Sequence, residues 1–500
     1  MTNPIDSAVL GGRPVRPRVV LAICCLSLLM VSMDATIVNV ALPSIRRDLA
    51  AATSGLQWVI DAYTMVVASL LMFSGSLADR IGRRRTFQTG MTVFTLASVL
   101  CSAAPGLRSL IGFRALQAIG ASMLNPVAMS IITNTFIEPK ARARAIGAWG
   151  AVVGISMALG PLVGGGLTQL IGWRSIFWIN LPIGAAAIVL AQRFVPESKA
   201  PRARRIDPFG QLLVFAALAS LTYAVIEGRH DGWDSPLICG LFAIVAGSIA
   251  TLIWYEPRRP EPLLDLRFFR SVPFASATVI AVCTFSAFSG FVFLNALYLQ
   301  EVRGLPAFKT GLYTLPLALS TMACSVISGR LVGRYGTRPS LVIAGTAIAI
   351  SALLLTRIDD VTPLASMVTA YVVFGIGFGL VNAPITNTAV SGMPRTQAGL
   401  AAAVASTSRQ VGASLGVAVS GTIVGAGERG HGARAGFTTA THPFWWLVVM
   451  GGGLIVALGV LSSTGWARAS VRRIAALLDD APAPPQAPVA ALDPAARAAP

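Results

Sequence analysis

The feature that most constrains this chain is a succession of apolar runs, each about 20 residues long or more, between residues 19 and 463. A helix of that length crosses the hydrocarbon core of a bilayer, and in lipid the backbone must satisfy its own hydrogen bonds. Fourteen such runs are readable, at 19–43, 55–77, 86–105, 109–134, 145–170, 175–192, 209–226, 236–255, 272–300, 310–329, 339–356, 363–388, 397–425 and 442–463. They predict an all-α polytopic membrane protein. Charged residues make up only 12% of the chain, against about 25% in soluble domains. That excludes a multidomain soluble enzyme, a disordered scaffold and a collagen-like fibre.

The net charge of +18 would suggest a nucleic-acid partner in a soluble protein. Here the basic residues sit in short clusters between apolar runs, so the expected partner is the lipid bilayer and no nucleic acid. With the N-terminus inside, the inner segments hold 27 of the 39 basic residues and the outer ones 10, leaving Arg114 and Arg409 inside runs. This bias predicts a cell-membrane protein, inner or cytoplasmic, with both termini cytoplasmic. The first run is too long for the apolar core of a signal peptide and reads as a retained span.

The six cysteines fall inside apolar runs without a CxxC pair, and there are three histidines. They read as small buried hydrophobes and segment-end residues, so no metal site is expected. The Ala/Pro-rich stretch 481–500 reads as disordered, and the Gly-rich loop 425–441 as external and mobile. No GxxxxGK[ST] phosphate loop is present.

An internal repeat organises the runs. Gly75-Ser-Leu-Ala-Asp79-Arg80-Ile-Gly82-Arg83-Arg84-Arg85 follows the second run, and Gly329-Arg-Leu-Val-Gly-Arg334-Tyr-Gly336-Thr-Arg338 follows the tenth. Gly, Leu, Arg, Gly and Arg recur at equal offsets, which suggests two parallel six-helix halves with a site between them. The expected division is a cytoplasmic N-terminus at 1–18, one half at 19–192, a linker with two extra helices at 193–271, the second half at 272–463 and a cytoplasmic, largely disordered tail at 464–500.

Charges inside a bilayer are costly and mark function. Asp34 lies about 22 Å into the first run and Asp61 and Arg114 about 8–9 Å into theirs from the other side, so the three are expected at similar depth. Gln57, Asp61 and Thr64 form a polar stripe, as do Arg114, Gln117 and Asn125. Arg114 is expected to neutralise one carboxylate while burial tunes the other. Asp34 is favoured for the proton and Asp61 for substrate charge, with a purely structural ion pair as the alternative. Arg409 could meet substrate or serve packing. The later runs hold no interior carboxylate, which favours monocationic or neutral amphiphiles over dications.

The Gly75–Arg85 segment resembles the signature loop of the major facilitator superfamily. Met33 to Pro43, Arg114 to Gly120, Gly154 with Gly160-Pro161-Leu162-Val163-Gly164-Gly165, and Trp173 to Pro182 resemble, in order, helix motifs of its fourteen-span drug:proton antiporters. The resemblance implies a major facilitator fold with two central extra helices. It implies an exporter of amphipathic drugs or antibiotics that works by alternating access, draws on the proton gradient and needs no cofactor. It assigns Asp34 and Arg114 to proton coupling and Gly75, Asp79, Arg80, Gly82, Arg83 and Arg84 to a conformational latch. Asp79 is expected to face the N-terminus of the helix starting near Gln397. The glycines at 154, 160, 164 and 165 with Pro161 serve either close packing or control of proton leak. The chain is expected to act as a monomer, and no motif indicates a periplasmic adaptor. The alternatives are an exporter of one endogenous metabolite, a proton-coupled importer, or a membrane enzyme or sensor for which no catalytic constellation is readable.

Overall fold

The computed structural model describes residues 8–10, 13–199, 207–259, 262–359, 361–391, 393, 398–431 and 436–479. A short antiparallel pair, Ala8–Leu10 with Arg13–Val15, precedes the helices. The first group comprises α1 (Pro17–Leu49), α2 (Thr53–Ile81), α3 (Arg83–Ser102), α4 (Leu107–Thr135), α5 (Pro139–Leu170), α6 (Ser175–Trp178) and α7 (Asn180–Phe194). Then come α8 (Pro208–Asp231) and α9 (Pro236–Tyr255). The second group comprises α10 (Val272–Leu297), α11 (Ala307–Tyr335), α12 (Thr337–Leu355), α13 (Leu364–Val390), α14 (Ala398–His431) and α15 (Phe437–Leu461), and α16 (Gly465–Asp479) closes the described chain.

Twelve helices among the described residues are long and apolar enough to cross a membrane, with α6 and α7 forming one of them. The runs expected at 86–105 and 397–425 fall on α3 and α14, which are not among the twelve. Arg83, Arg84, Arg85 and Gln88 enter α3, and Arg409 and Gln410 lie within α14. Three expectations change in detail. The run 175–192 is broken at Ile179. The expected loop 425–441 is shortened, because α14 continues to His431. The expected disordered segment 464–500 begins with α16, which buries Ala467, Ser470 and Ile474 along one face; 481–500 lies outside the described residues.

The two groups pack alike. In the first, α1 lies on α5, α2 on α4 and α3 on α4; in the second, α10 lies on α14, α11 on α13 and α12 on α13. The sequence repeat reappears as geometry. Gly82 (φ 112°) ends α2 and Gly336 (φ 79°) ends α11, at the same place in the repeat. Both are left-handed stops that a side chain would strain. The residue before each repeat is a buried serine tied to a neighbouring helix. Ser74 meets Ser122 at 3.0 Å, and Ser328 donates to the Leu380 carbonyl at 2.7 Å.

The two most extensive crossings between the groups are α2 with α14 and α5 with α11, and α1 also touches α10 and α11. Helix α8 lies along the first crossing and touches both partners. Trp58 Nε1 donates to Glu227 Oε1 at 2.8 Å, and Thr422 Oγ1 donates to the Val225 carbonyl at 2.8 Å. Inside the first group α3 and α4 approach through glycines. A Cβ on Gly120 would stand 2.6 Å from the Gly90 carbonyl oxygen and 2.8 Å from Phe94 Cα. Gly120→Val should therefore lower the thermal unfolding midpoint of the detergent-solubilised protein, at a cost of about 1–3 kcal/mol or more. Gly112→Val, on the same helix with open space around it, should leave that midpoint within a degree or two.

Candidate functional site

One buried polar network occupies the centre of the first group. Asp34 on α1 and Arg114 on α4 are 0% and 1% exposed. Arg114 Nη1 donates to Asp34 Oδ2 at 2.6 Å and to Gln117 Oε1 at 2.5 Å. Gln117 Nε2 donates to Asp34 Oδ1 at 2.9 Å and to Ser98 Oγ on α3 at 2.7 Å. Asn180 Nδ2, on the first turn of α7, reaches the same two atoms at 3.2 Å each. Arg114 Nε donates to the Val59 carbonyl on α2, and the guanidinium lies 4.2 Å over the Tyr63 ring. Five helices thus meet at one ion pair.

The chain places these groups by helical spacing. Arg114 and Gln117 are three apart on α4 and share a face. Asn180 enters because α6 breaks at Ile179 and α7 restarts there. The segment before it anchors the same region: Trp173 Nε1 and Arg174 Nη1 both bond Asp48 Oδ2, at 2.8 and 2.5 Å. Gln117, expected on a cavity wall, is fully buried in the network instead.

Asp61 does not join this network. It is 0% exposed on α2, and its Oδ1 accepts from Thr64 Oγ1 at 3.3 Å. Its Oδ2 is buried without a hydrogen-bond partner among the described residues. Ser414 of α14 stands beside the same carboxylate. One turn earlier, Gln57 Nε2 donates to the Val417 and Ala418 carbonyls of α14 at 3.3 and 2.7 Å. The polar stripe of α2 therefore faces the opposite helix group, and Gln57 is a crossing contact rather than an open cavity residue. Asn125 on α4 is half-buried, with its Oδ1 unpartnered among the described residues.

The glycine motif of α5 serves two contacts. A Cβ on Gly160 would stand 3.0 Å from Thr36 Cβ, and one on Gly164 3.2 Å from the Ile37 carbonyl oxygen, both beside Asp34 on α1. A Cβ on Gly165 would stand 2.5 Å from the Ala307 carbonyl oxygen, and one on Gly154 3.0 Å from Met322 Cγ, both on α11. Pro161 packs against Gly311.

The Gly165 contact belongs to the end of the bundle that holds Leu49. There Arg46 Nη1 bonds Glu301 Oε2 at 2.8 Å, Gln300 Nε2 donates to the Val40 carbonyl at 2.8 Å, and the Phe308 amide donates to Gln169 Oε1 at 3.4 Å. All of these join the two groups. At the opposite end, a Cβ added to Gly75, Gly147, Gly150, Gly329 or Gly333 would touch nothing. An open cavity of about 520 Å³ lies there, lined by Ala383, Thr386, Asn387, Val390 and Ser391 of α13 and its C-terminus. Arg409 of α14 donates from Nη2 to Thr386 Oγ1 at 2.6 Å. Among the described residues, the molecule is closed at one end and parted at the other.

The Gly75–Arg85 loop lies at the parted end. Arg83 Nη2 bonds Asp79 Oδ1 at 3.2 Å, a pair within one helix group. Glu197, which sequence reasoning did not single out, receives the Arg84 amide at 3.1 Å and lies 3.8 Å from the Arg84 and Arg85 side chains. The expected Asp79 partner near Gln397 lies outside the described residues. Ser98, Asn180 and Glu197 carry no sequence signal beyond polarity, although Asn180 falls inside the Trp173–Pro182 block.

The comparisons with known proteins agree with this geometry. The profile of the Major Facilitator Superfamily matches residues 24–417. The chain is 38% identical to the multidrug resistance protein Stp of Mycobacterium tuberculosis, over 80% of this chain and 74% of that one. It is 34% identical to a methylenomycin A resistance protein of Bacillus subtilis, over 81% and 87%. It is 32% identical to a tetracenomycin C resistance and export protein of Streptomyces glaucescens, over 82% and 76%.

Two predictions follow from the network and the loop. Arg114→Met leaves Asp34 buried without its cation and should cost about 3–5 kcal/mol. Adding Asp34→Asn should recover part of that loss, read as a double-mutant cycle in thermal unfolding. Asp79→Ala removes a half-buried pair one helical turn apart, worth about 1 kcal/mol or less, so the protein should stay folded and bind ligand. Its transport rate in vesicles should fall at least severalfold.

Proposed function

Because the chain belongs to the Major Facilitator Superfamily, we propose that it is a proton-coupled antiporter of the cell membrane that exports amphipathic, drug-like compounds by alternating access. The observation that carries the reading is a pair of buried carboxylates with opposite surroundings. Asp34 is held by Arg114, Gln117 and Asn180, and Asp61 sits at the α2–α14 crossing with one oxygen unpartnered among the described residues. The names of the relatives support export of multidrug and antibiotic substrates.

In this reading α3 and α14 are the two further spans, which makes fourteen. The helix groups 19–192 and 272–463 are the moving halves, with α8 and α9 between them. The basic bias of the loops puts both termini, and so the parted end, in the cytoplasm. The cavity beside Thr386 then accepts substrate from inside while the Leu49 end is sealed outside.

The two carboxylates give that motion a proton dependence. Closing the α2–α14 crossing over an ionised Asp61 would bury a charge with an unpartnered oxygen, which is costly; closing it over a protonated one would not. Proton uptake from outside therefore favours closure of the outer end and opening toward the cytoplasm. A proton on Asp34 removes the charge that holds Arg114, Gln117 and Asn180 together and frees five helices to shift. Release inward and substrate exit outward complete the exchange, driven by the proton gradient without a cofactor. The later helices carry no interior carboxylate among the described residues, so neutral or monocationic compounds are favoured over dications.

The test is proton release from everted vesicles, followed with a pH-gradient dye while amphiphiles are added. Wild type should release protons in a compound-dependent way, and Asp34→Asn and Asp61→Asn at matched expression should each lose at least nine-tenths of it. Wild-type coupling in both variants would overturn the assignment.

A further inference from the structure

Arg409 stands out among the described side chains that the proton cycle does not use. It is a permanent cation in the middle of α14, within a helix group whose interior holds no carboxylate among the described residues. None of the ion pairs formed among the described residues includes it. Its Nη2 donates to Thr386 Oγ1, and its Nε is buried with no partner among those residues. A charged donor left without its hydrogen bond is costly, more so than a neutral one. In a membrane protein such a charge marks a site.

Two further features say what would meet it. Thr386 lines the open cavity of about 520 Å³, which places the guanidinium one hydrogen bond from a cavity-lining side chain. An aromatic face flanks it. The Arg409 guanidinium carbon lies 5.9 Å from the Phe285 ring centre. Phe288 stacks on Phe378 at 4.2 Å, and Phe285 packs edge-on to Phe378 at 5.2 Å. Phe285 and Phe288 are half-buried, so their rings are not wholly consumed by protein packing.

We propose that Arg409, Thr386 and the Phe285–Phe288–Phe378 face form a substrate subsite for planar aromatic compounds that carry an oxygen acceptor, such as a ring carbonyl, phenolate or carboxylate. The proposal deepens the efflux reading and rests on it. A guanidinium presents planar, fixed donors to a carbonyl or carboxylate edge, and a ring attached to that edge stacks on phenylalanine. The same cation repels a positively charged ring that lacks an acceptor. The site therefore sorts substrates by their oxygen edge and not by positive charge.

The test uses the purified full-length protein and two planar probes, 1,8-dihydroxyanthraquinone, which carries carbonyl and phenol oxygens, and ethidium, a cation with no oxygen. Binding is followed by fluorescence titration in wild type, Arg409→Gln and Arg409→Lys, with thermal unfolding as the folding control. Arg409→Gln should weaken anthraquinone binding about tenfold to a hundredfold, the worth of one hydrogen bond to a charged donor. It should leave ethidium binding unchanged or tighter, and Arg409→Lys should fall between. Equal weakening of both probes, unchanged anthraquinone binding in Arg409→Gln, or a wild type that does not bind the anthraquinone would each overturn the subsite. Failure of the efflux reading is separate: it shows as no proton release by the wild type in vesicles with either probe.

Discussion

Everything in the first helix group is arranged around one buried ion pair, Asp34 with Arg114. Two charges at 0% and 1% exposure are tolerable only if both are neutralised and their remaining hydrogen-bonding capacity is met. Gln117, Asn180, Ser98, the Val59 carbonyl and the Tyr63 ring meet it. The requirement explains why α1, α2, α3, α4 and α7 converge there, and why small residues on α5 let that helix lie flat against α1 at Thr36 and Ile37. It also gives the proposed proton cycle its trigger. Removing one charge unsettles partners on five helices at once, whereas an apolar core of the same size would have no such trigger.

The second group lacks a counterpart. Its helices pair as those of the first do, and the repeat places Gly336 where Gly82 stands, yet no carboxylate sits at its centre among the described residues. Arg409, its one interior guanidinium among the described residues, meets a threonine and an aromatic ring instead. In the proposed reading the two groups share a scaffold and divide the chemistry, with protons handled in one and at the crossing, and substrate recognised on the other. Helix α8, bonded to α2 through Glu227 and to α14 through the Val225 carbonyl, braces the side where Asp61 is enclosed.

Much of this was legible in the sequence. Run length gives twelve of the spans, and the recurrence of Gly, Leu, Arg, Gly and Arg reappears in the matching packing of the two groups. The three-residue spacing of Arg114 and Gln117 puts them on one face. Depth along a helix axis is also readable, which is why Asp61 was expected near Arg114. Rotation about that axis relative to neighbours is set by packing, and it turns Asp61 and Gln57 away from Asp34 and toward α14. The same limit hides Ser98, Asn180 and Glu197, whose partners come from helices distant in the chain. The Arg46–Glu301 bond, 255 residues apart, is legible only once the groups are docked.

The central claim is that the charge states of Asp34 and Asp61 set which end of the bundle is open. The direct test is an interspin distance between labels on Arg47 and Phe308, across the closed end, measured from pH 5 to pH 9 in lipid nanodiscs. The account predicts two distance populations whose ratio changes with pH in wild type and is fixed in the Asp34→Asn/Asp61→Asn double variant. The same pH dependence in that variant as in wild type would contradict it.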